Sequence, residues 1–293
     1  MTTAGYIDAA VAPPRATHQI KLYGPEAFEG MRKAGRLAAE CLDMLIPYVK
    51  PGVTTGKIDD LAREFVLDHG ALPACLFYKG YRNTVCTSVN HVVCHGIPGP
   101  KTLKEGDVVN IDVTAIVDSW HGDTSRMYSV GEVSRKASRL MDVTYESMML
   151  GIQAVKPGAL LSDIGKAIQD FAEQQHYSVV EAFCGHGLGR VFHDSPNILH
   201  FTRSRINRGM PAHDENEAGI RLRPGMLFTV EPMINLGKPD VALKPDGWTA
   251  VTRDRSLSAQ YEHAIGVTET GYEIFTQSPT GQHTPHTSGL GAG

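Results

Sequence analysis

Strands normally exclude carboxylates, yet four acids here lie inside apolar, strand-like runs. Asp112 and Asp123 fall in DVVNIDVTAIVDSWHGDTSRMYS at 107–129, Glu231 closes GMLFTVE at 225–231, and Glu262 lies in SAQYEHAIGVT. The 107–129 stretch reads as a hairpin turning at Asp118 and Ser119. That turn sets Val117 opposite Trp120 and Asp112 opposite Ser125. Asp112 and Asp123 then become diagonal neighbours on one face, their backbones roughly 7–8 Å apart. A bare pair of buried carboxylates repels, so a metal ion or a shared proton is expected between them. Around Glu262 one continuous strand is predicted, with Glu262, Ala264 and Gly266 on one face and Tyr261, His263 and Ile265 on the other. GHGLGRVFH at 185–193 adds His186 and His193 in a glycine-rich segment that lets backbone approach closely. One histidine with four carboxylates is a hard, oxygen-rich donor set. It suits Mn, Fe or Co in a two-metal site, with Mg and Zn as further candidates. Two ions roughly 3.5–4 Å apart, bridged by carboxylates and water, are a common hydrolytic device.

The elements that must position these residues repeat. VKPGVTTGKIDDLAREF at 49–65 returns as VKPGALLSDIGKAIQDF at 155–171. The apolar positions that follow have helical spacing: Ile58, Leu61, Ala62 and Phe65 against Ile164, Ala167, Ile168 and Phe171. Another amphipathic stretch precedes each, at roughly 25–47 and 134–153, and the V-K-P-G turn breaks it. Thr55 and Ser162 are the expected N-caps of the second helices. GDVVNID at 106–112 then aligns with GMLFTVE at 225–231, so Glu231 is the counterpart of Asp112. An insertion near 201–219 absorbs the longer spacing of the second half. The chain therefore reads as two fused helix–helix–strand halves related by an internal pseudo-twofold.

Composition narrows the setting. The 293 residues are 42% hydrophobic and 20% charged, with a net charge of −4, which is ordinary for a globular chain and gives no basic footprint for DNA. Five cysteines without a C-x-x-C pair argue against a disulfide framework and for a reducing compartment, hence the cytoplasm. No run reaches the about 18 apolar residues of a membrane span, and the start does not read as a secretory signal. Residues 1–18 and 277–293 are expected to be flexible tails around a single domain at 19–276. His283 and His286, three apart in the second tail, are read as solvated residues. No coiled coil or long apolar edge is evident, so a monomer is the default.

Six motifs in order resemble the type I methionine aminopeptidases, members of the pita-bread metallopeptidases: VCHGIP at 93–98, NIDV at 110–113, HGDTS at 121–125, GHGLG at 185–189, FTVEPM at 228–233 and SAQYEH at 258–263. The likeness covers about residues 20–275. It implies an α+β pita-bread fold, with internally duplicated halves around a central antiparallel sheet. It also implies removal of the initiator methionine from nascent chains with a small second residue. Two divalent ions per chain follow, Co, Mn, Fe, Zn and Ni all being compatible. By resemblance Asp112 binds one ion, His186 and Glu231 the other, and Asp123 and Glu262 bridge both. Glu231 also moves the proton, and His95 and His193 contact substrate and stabilise the tetrahedral intermediate. On residues alone, His95 reads rather as a loop anchor, and His193 as a capping or core histidine. A soft slot for methionine falls on Cys75, Tyr78, Tyr81, Cys86, Phe192 and Trp248. Cys75 and Cys86 also read as ordinary buried thiols.

The resemblance further implies transient ribosome contact. Arg203, Arg205 and Arg208 in the insertion lie beside Asp214, Glu215 and Glu217, which favours a solvated loop. Lys238, Lys244, Arg253 and Arg255 form a second basic set, diluted by Asp240, Asp246 and Asp254. Two other functions compete. A pita-bread prolidase or aminopeptidase P generally carries a large extra N-terminal domain, and only about 20 residues precede the first helix here. A non-catalytic peptide- or RNA-binding relative is typically missing ligands, and all five candidates are present here.

Overall fold

The computed structural model describes residues 5–203 and 219–284. Four helices carry the two halves: α1 (Pro25–Leu45) and α2 (Thr55–Asp68), then α3 (Arg135–Gln153) and α4 (Ser162–Gln174). Each buries one stripe. On α1 it runs through Ala27, Met31, Ala34, Ala38, Cys41, Leu42 and Leu45. Leu42, Ile58 and Val66 meet Ile111 in the first core, and Leu140, Met148, Ile164 and Ile168 meet Phe228 in the second. Each such side chain, fully buried, contributes about 1.5–3 kcal/mol over exposure.

The duplication is visible in matched hydrogen bonds. Gly52 N–H donates to Leu103 O at 2.9 Å, and Gly158 N–H to Leu222 O at 2.8 Å. Leu103 N–H returns to Val53 O, and Leu222 N–H to Ala159 O, both at 2.8 Å. The result is the two matched halves that the repeat implies, in the pita-bread arrangement that the resemblance implies.

Strands Val108–Val117 and Trp120–Ser129 form the expected hairpin, with Val117 opposite Trp120, Asp112 opposite Ser125 and Thr114 opposite Asp123. Asp118 (φ 50°) and Ser119 (φ 69°) both take the left-handed conformation that a type I′ turn requires. Helix α1 lies directly on this hairpin. At Gly122 an added Cβ would come within 2.1 Å of the Ala34 backbone, so only glycine allows the approach.

Three expectations change. The predicted strand through Glu262 is split into Ser258–Gln260 and His263–Val267, which pair with different neighbours. Glu262 sits at the break and its backbone pairs with Ser125, giving N–H···O distances of 3.1 and 3.4 Å. It thus stitches one half to the other. Thr54, not Thr55, caps α2, accepting from Lys57 N–H at 3.2 Å, because the Thr55 hydroxyl is engaged with Gly99. Helix α4 starts at Ser162 after Leu161 and has no side-chain cap bond.

Both presumed tails are partly built in. Tyr6–Asp8 forms a parallel strand with Ile20–Leu22, and the Tyr6 hydroxyl donates to Arg221 O at 2.6 Å. At the other end Ser278 and Thr280 hydroxyls donate to Asp43 Oδ2 at 2.8 and 2.7 Å. Asp43 also pairs with the buried Arg126 guanidinium. Polar composition suggested solvent, but these hydroxyls find an acid on α1 instead. His283 is half-buried beside this cluster, with burial pushing its pKa down. His286 and residues 204–218, which carry Arg205 and Arg208, lie outside the described residues. Arg203 is committed to Asp170 at 2.9 Å.

Candidate active site

The hairpin delivers Asp112 and Asp123 to one face, and the second half brings His186, Glu231 and Glu262 against them. All five line one cavity of about 310 Å³. Ligand atoms of Asp123, His186 and Glu262 lie within 4.8 Å of one another. His186 Nε2 is 3.6 Å from both Asp123 Oδ2 and Glu231 Oε1.

Neighbouring groups orient these donors. Thr114 Oγ1 donates to Asp123 Oδ1 at 2.6 Å, and Thr229 Oγ1 to Glu231 Oε1 at 2.8 Å. Gln260 Nε2 donates to Glu231 Oε2 at 3.3 Å. His186 Nδ1 lies 3.1 Å from Gly187 O, which can only accept, so Nδ1 carries the proton and Nε2 offers its lone pair to the acids.

The electrostatics are unbalanced. Burial pushes Asp123 up to about 7, the Thr114 hydrogen bond opposing. Burial, and then the Asp123 charge, push Glu231 up to about 8. Asp112 and Glu262 are raised well above the usual carboxylate range, first by burial and then by neighbouring acidic groups. Burial lowers His186 to about 4, so it is neutral at pH 7 and offsets no charge. Among the described residues no lysine or arginine forms an ion pair with these four acids. Four buried carboxylates with a neutral imidazole lone pair and no lysine or arginine paired to them among the described residues form a cation-binding donor set of hard character.

A soft, apolar pocket adjoins the acids. Cys75, Tyr81 and Cys86 form a buried cluster, with Phe192 and Trp248 packed on it. Tyr81 meets Trp248 edge-on at 5.1 Å, and its hydroxyl is tied to Val85 O at 2.9 Å, which leaves an apolar wall toward the cavity. Tyr78 stacks on His193 at 5.0 Å and packs on Phe192 at 4.9 Å. His193 is lowered to about 2 by burial and then by His186, and its buried Nδ1 has no partner. Its ring can therefore hydrogen-bond a ligand. His95 is held at φ 55° near Trp248 and Phe183, and burial keeps it neutral.

Every ligand, catalytic and methionine-slot candidate singled out from the sequence thus lines this one cavity, while the basic sets do not. The sequence reading missed Thr114, Gln260, Cys94, Cys184, Phe183 and Lys79, which line it too. Two of these were within reach of period-two reasoning: Thr114 shares a strand face with Asp112, and Gln260 stands two residues before Glu262. Cys94 and Cys184 had no such signal. Four of the five cysteines reach the cavity, where two were expected.

Known proteins resemble this chain over most of its length. The profile of metallopeptidase family M24 matches residues 29–269. A methionine aminopeptidase of Rickettsia prowazekii (strain Madrid E) is 57% identical over 261 residues, 89% of this chain and 96% of that protein. One from Escherichia coli (strain K12) is 51% identical over 259 residues, 88% of this chain and 94% of that protein. The crystal structure of methionine aminopeptidase from Rickettsia prowazekii matches with a TM-score of 0.82 at 56% identity, covering 88% of this chain and 100% of that one. The chain belongs to metallopeptidase family M24 and, within it, to the methionine aminopeptidases.

Proposed function

We propose that this protein hydrolyses the first peptide bond of chains that begin with methionine and carry a small second residue. The observation that supports this most is the junction within one cavity of an uncompensated acid–imidazole cluster and a soft aromatic–thiol pocket. Methionine is polarisable and unbranched, and such a pocket suits it. The free α-amine would bind by its lone pair at the metal end of the cavity.

Asp112, Asp123, His186, Glu231 and Glu262 are the residues that would hold two divalent ions. Co, Mn, Fe, Zn and Ni all fit this donor set. When bound, such ions polarise a carbonyl and acidify a water. The chain's own residues do the rest. Glu231, ionised once the ions are bound, would take a proton from the attacking water and pass it to the leaving amine. His193 Nδ1 and the His95 ring hydrogen-bond the peptide at the scissile bond. Cys75, Tyr78, Tyr81, Cys86, Phe192 and Trp248 hold the methionine side chain and exclude water.

The catalytic unit is read as one domain of about residues 19–276, active as a monomer in the cytoplasm on nascent chains. Among the described residues no helix is long and apolar enough to cross a membrane. Transient ribosome contact through Lys238, Lys244, Arg253 and Arg255 belongs to the same reading, and neutralising them should abolish salt-sensitive co-sedimentation with ribosomes. The central test is release of free methionine from Met-Ala-Ser by protein loaded separately with Mn, Fe, Co, Zn or Ni. Release with at least one ion is expected, and no release with any of them overturns the proposal.

A further inference from the structure

The rim of the cavity is built from strained backbone. Phe77 (φ 66°) and Lys79 (φ 46°) are both left-handed without being glycine, and Gly80 (φ 89°) follows. Such residues cost of order 1–3 kcal/mol each and cluster at sites that use the geometry. The turn is closed by Phe77 N–H to Tyr81 O at 2.7 Å and Tyr78 N–H to Cys75 O at 3.0 Å. Its effect is to turn Tyr78 inward onto His193 and to leave Phe77 (75% exposed) and Lys79 at the surface. The Lys79 ammonium sits 5.2 Å above the Tyr78 ring and lines the cavity. Among the described residues no carboxylate pairs with it. An unpaired cation held in strained backbone at the open end of an acidic cavity is positioned for an anion that arrives with the substrate.

We propose that Lys79 is a specificity-determining residue that favours substrates carrying a negative charge shortly after the scissile bond, as an acidic side chain at the third position. This rests on the aminopeptidase reading above. If the first residue fills the buried pocket, the rest of the peptide leaves through the mouth, past Tyr78, Lys79 and Phe77. An acidic third residue meets the ammonium there and a basic one is repelled.

The test uses amidated peptides Met-Ala-Asp-Ala, Met-Ala-Ser-Ala and Met-Ala-Lys-Ala with metal-loaded full-length protein. At low salt, kcat/KM for the Asp peptide should exceed that for the Lys peptide about three- to tenfold, mostly through KM. High salt should erase the difference. Lys79→Met should bring the ratio to about one, Lys79→Glu should reverse it, and Lys79→Arg should keep it, while the Ser peptide changes little in all three. Equal ratios in wild type and Lys79→Glu overturn the inference. So does a loss that hits all three peptides alike, since that marks a structural role. Failure to cleave even the Ser peptide overturns the aminopeptidase reading instead.

Discussion

Removing divalent ions from this protein should leave protons in their place, and reloading should expel them. With Asp123 raised to about 7 and Glu231 to about 8, the first is about half protonated at pH 7 and the second about nine-tenths. These two alone hold one to two protons, to a rough count, and Asp112 and Glu262, also raised, add to it. His186, lowered to about 4, holds none at that pH. Metal binding needs the carboxylates ionised, so affinity should climb by about one to two decades per pH unit between pH 6 and 8. Calorimetric titration of the metal-free protein with Mn or Co, in buffers of different ionisation enthalpy, counts the protons directly. Stability follows the same linkage. Carboxyls with raised pKa values stabilise the metal-free fold below their unfolded pKa values and lose that contribution as pH rises through about 7–8. His186 acts oppositely: its contribution is present above about 6.5 and lost as pH falls through about 4. The metal-free Tm should therefore peak at mildly acidic pH, and the increment given by metal should grow from there to pH 8. Release below about 0.3 proton at pH 7, with affinity flat from pH 6 to 8, refutes the buried-carboxylate reasoning.

Glu262→Ala should lower kcat by at least about a hundredfold, with far-UV circular dichroism unchanged, because it removes a donor from the three-residue cluster; near wild-type turnover would overturn its assignment. Gly122→Ala forces a methyl within 2.1 Å of the Ala34 backbone, so it should cost about 1–3 kcal/mol and lower Tm by about 3–10 °C; an unchanged melting curve refutes the close packing of α1 on the hairpin. Asp43→Ala leaves Arg126 buried without its carboxylate and frees Ser278 and Thr280, at a cost of about 3–5 kcal/mol. Limited proteolysis should then cut near residues 277–284 sooner than in wild type, and equal protection would show that the strap is held by something else.

Local physics was readable from the residues. The hairpin turn needs only two consecutive left-handed positions flanked by period-two strands, so Asp118, Ser119 and the pairing of Asp112 with Ser125 followed directly. The duplication was readable for a similar reason: V-K-P-G and the apolar spacing after it describe units that each half repeats. Competition between distant partners was not readable. Gly99 takes the Thr55 hydroxyl and shifts the cap to Thr54. Asp43 holds hydroxyls that composition alone assigns to solvent. Ser125 claims the Glu262 backbone and breaks a strand whose own alternation is perfect.

The sequence by itself determined which side chains carry acid, imidazole and thiol, and which of them share a strand face, since both depend on covalent order and a two-residue period. Only the tertiary structure decided that Asp112, Asp123, His186, Glu231 and Glu262 meet in one cavity, that no described lysine or arginine pairs with the acids there, and that Lys79 stands at its rim. Burial and charge imbalance are properties of contacts that join the two halves, such as Asp123 with Glu231 and Glu262, more than a hundred positions apart. They push the carboxyls up toward neutral pH, and no local pattern encodes them.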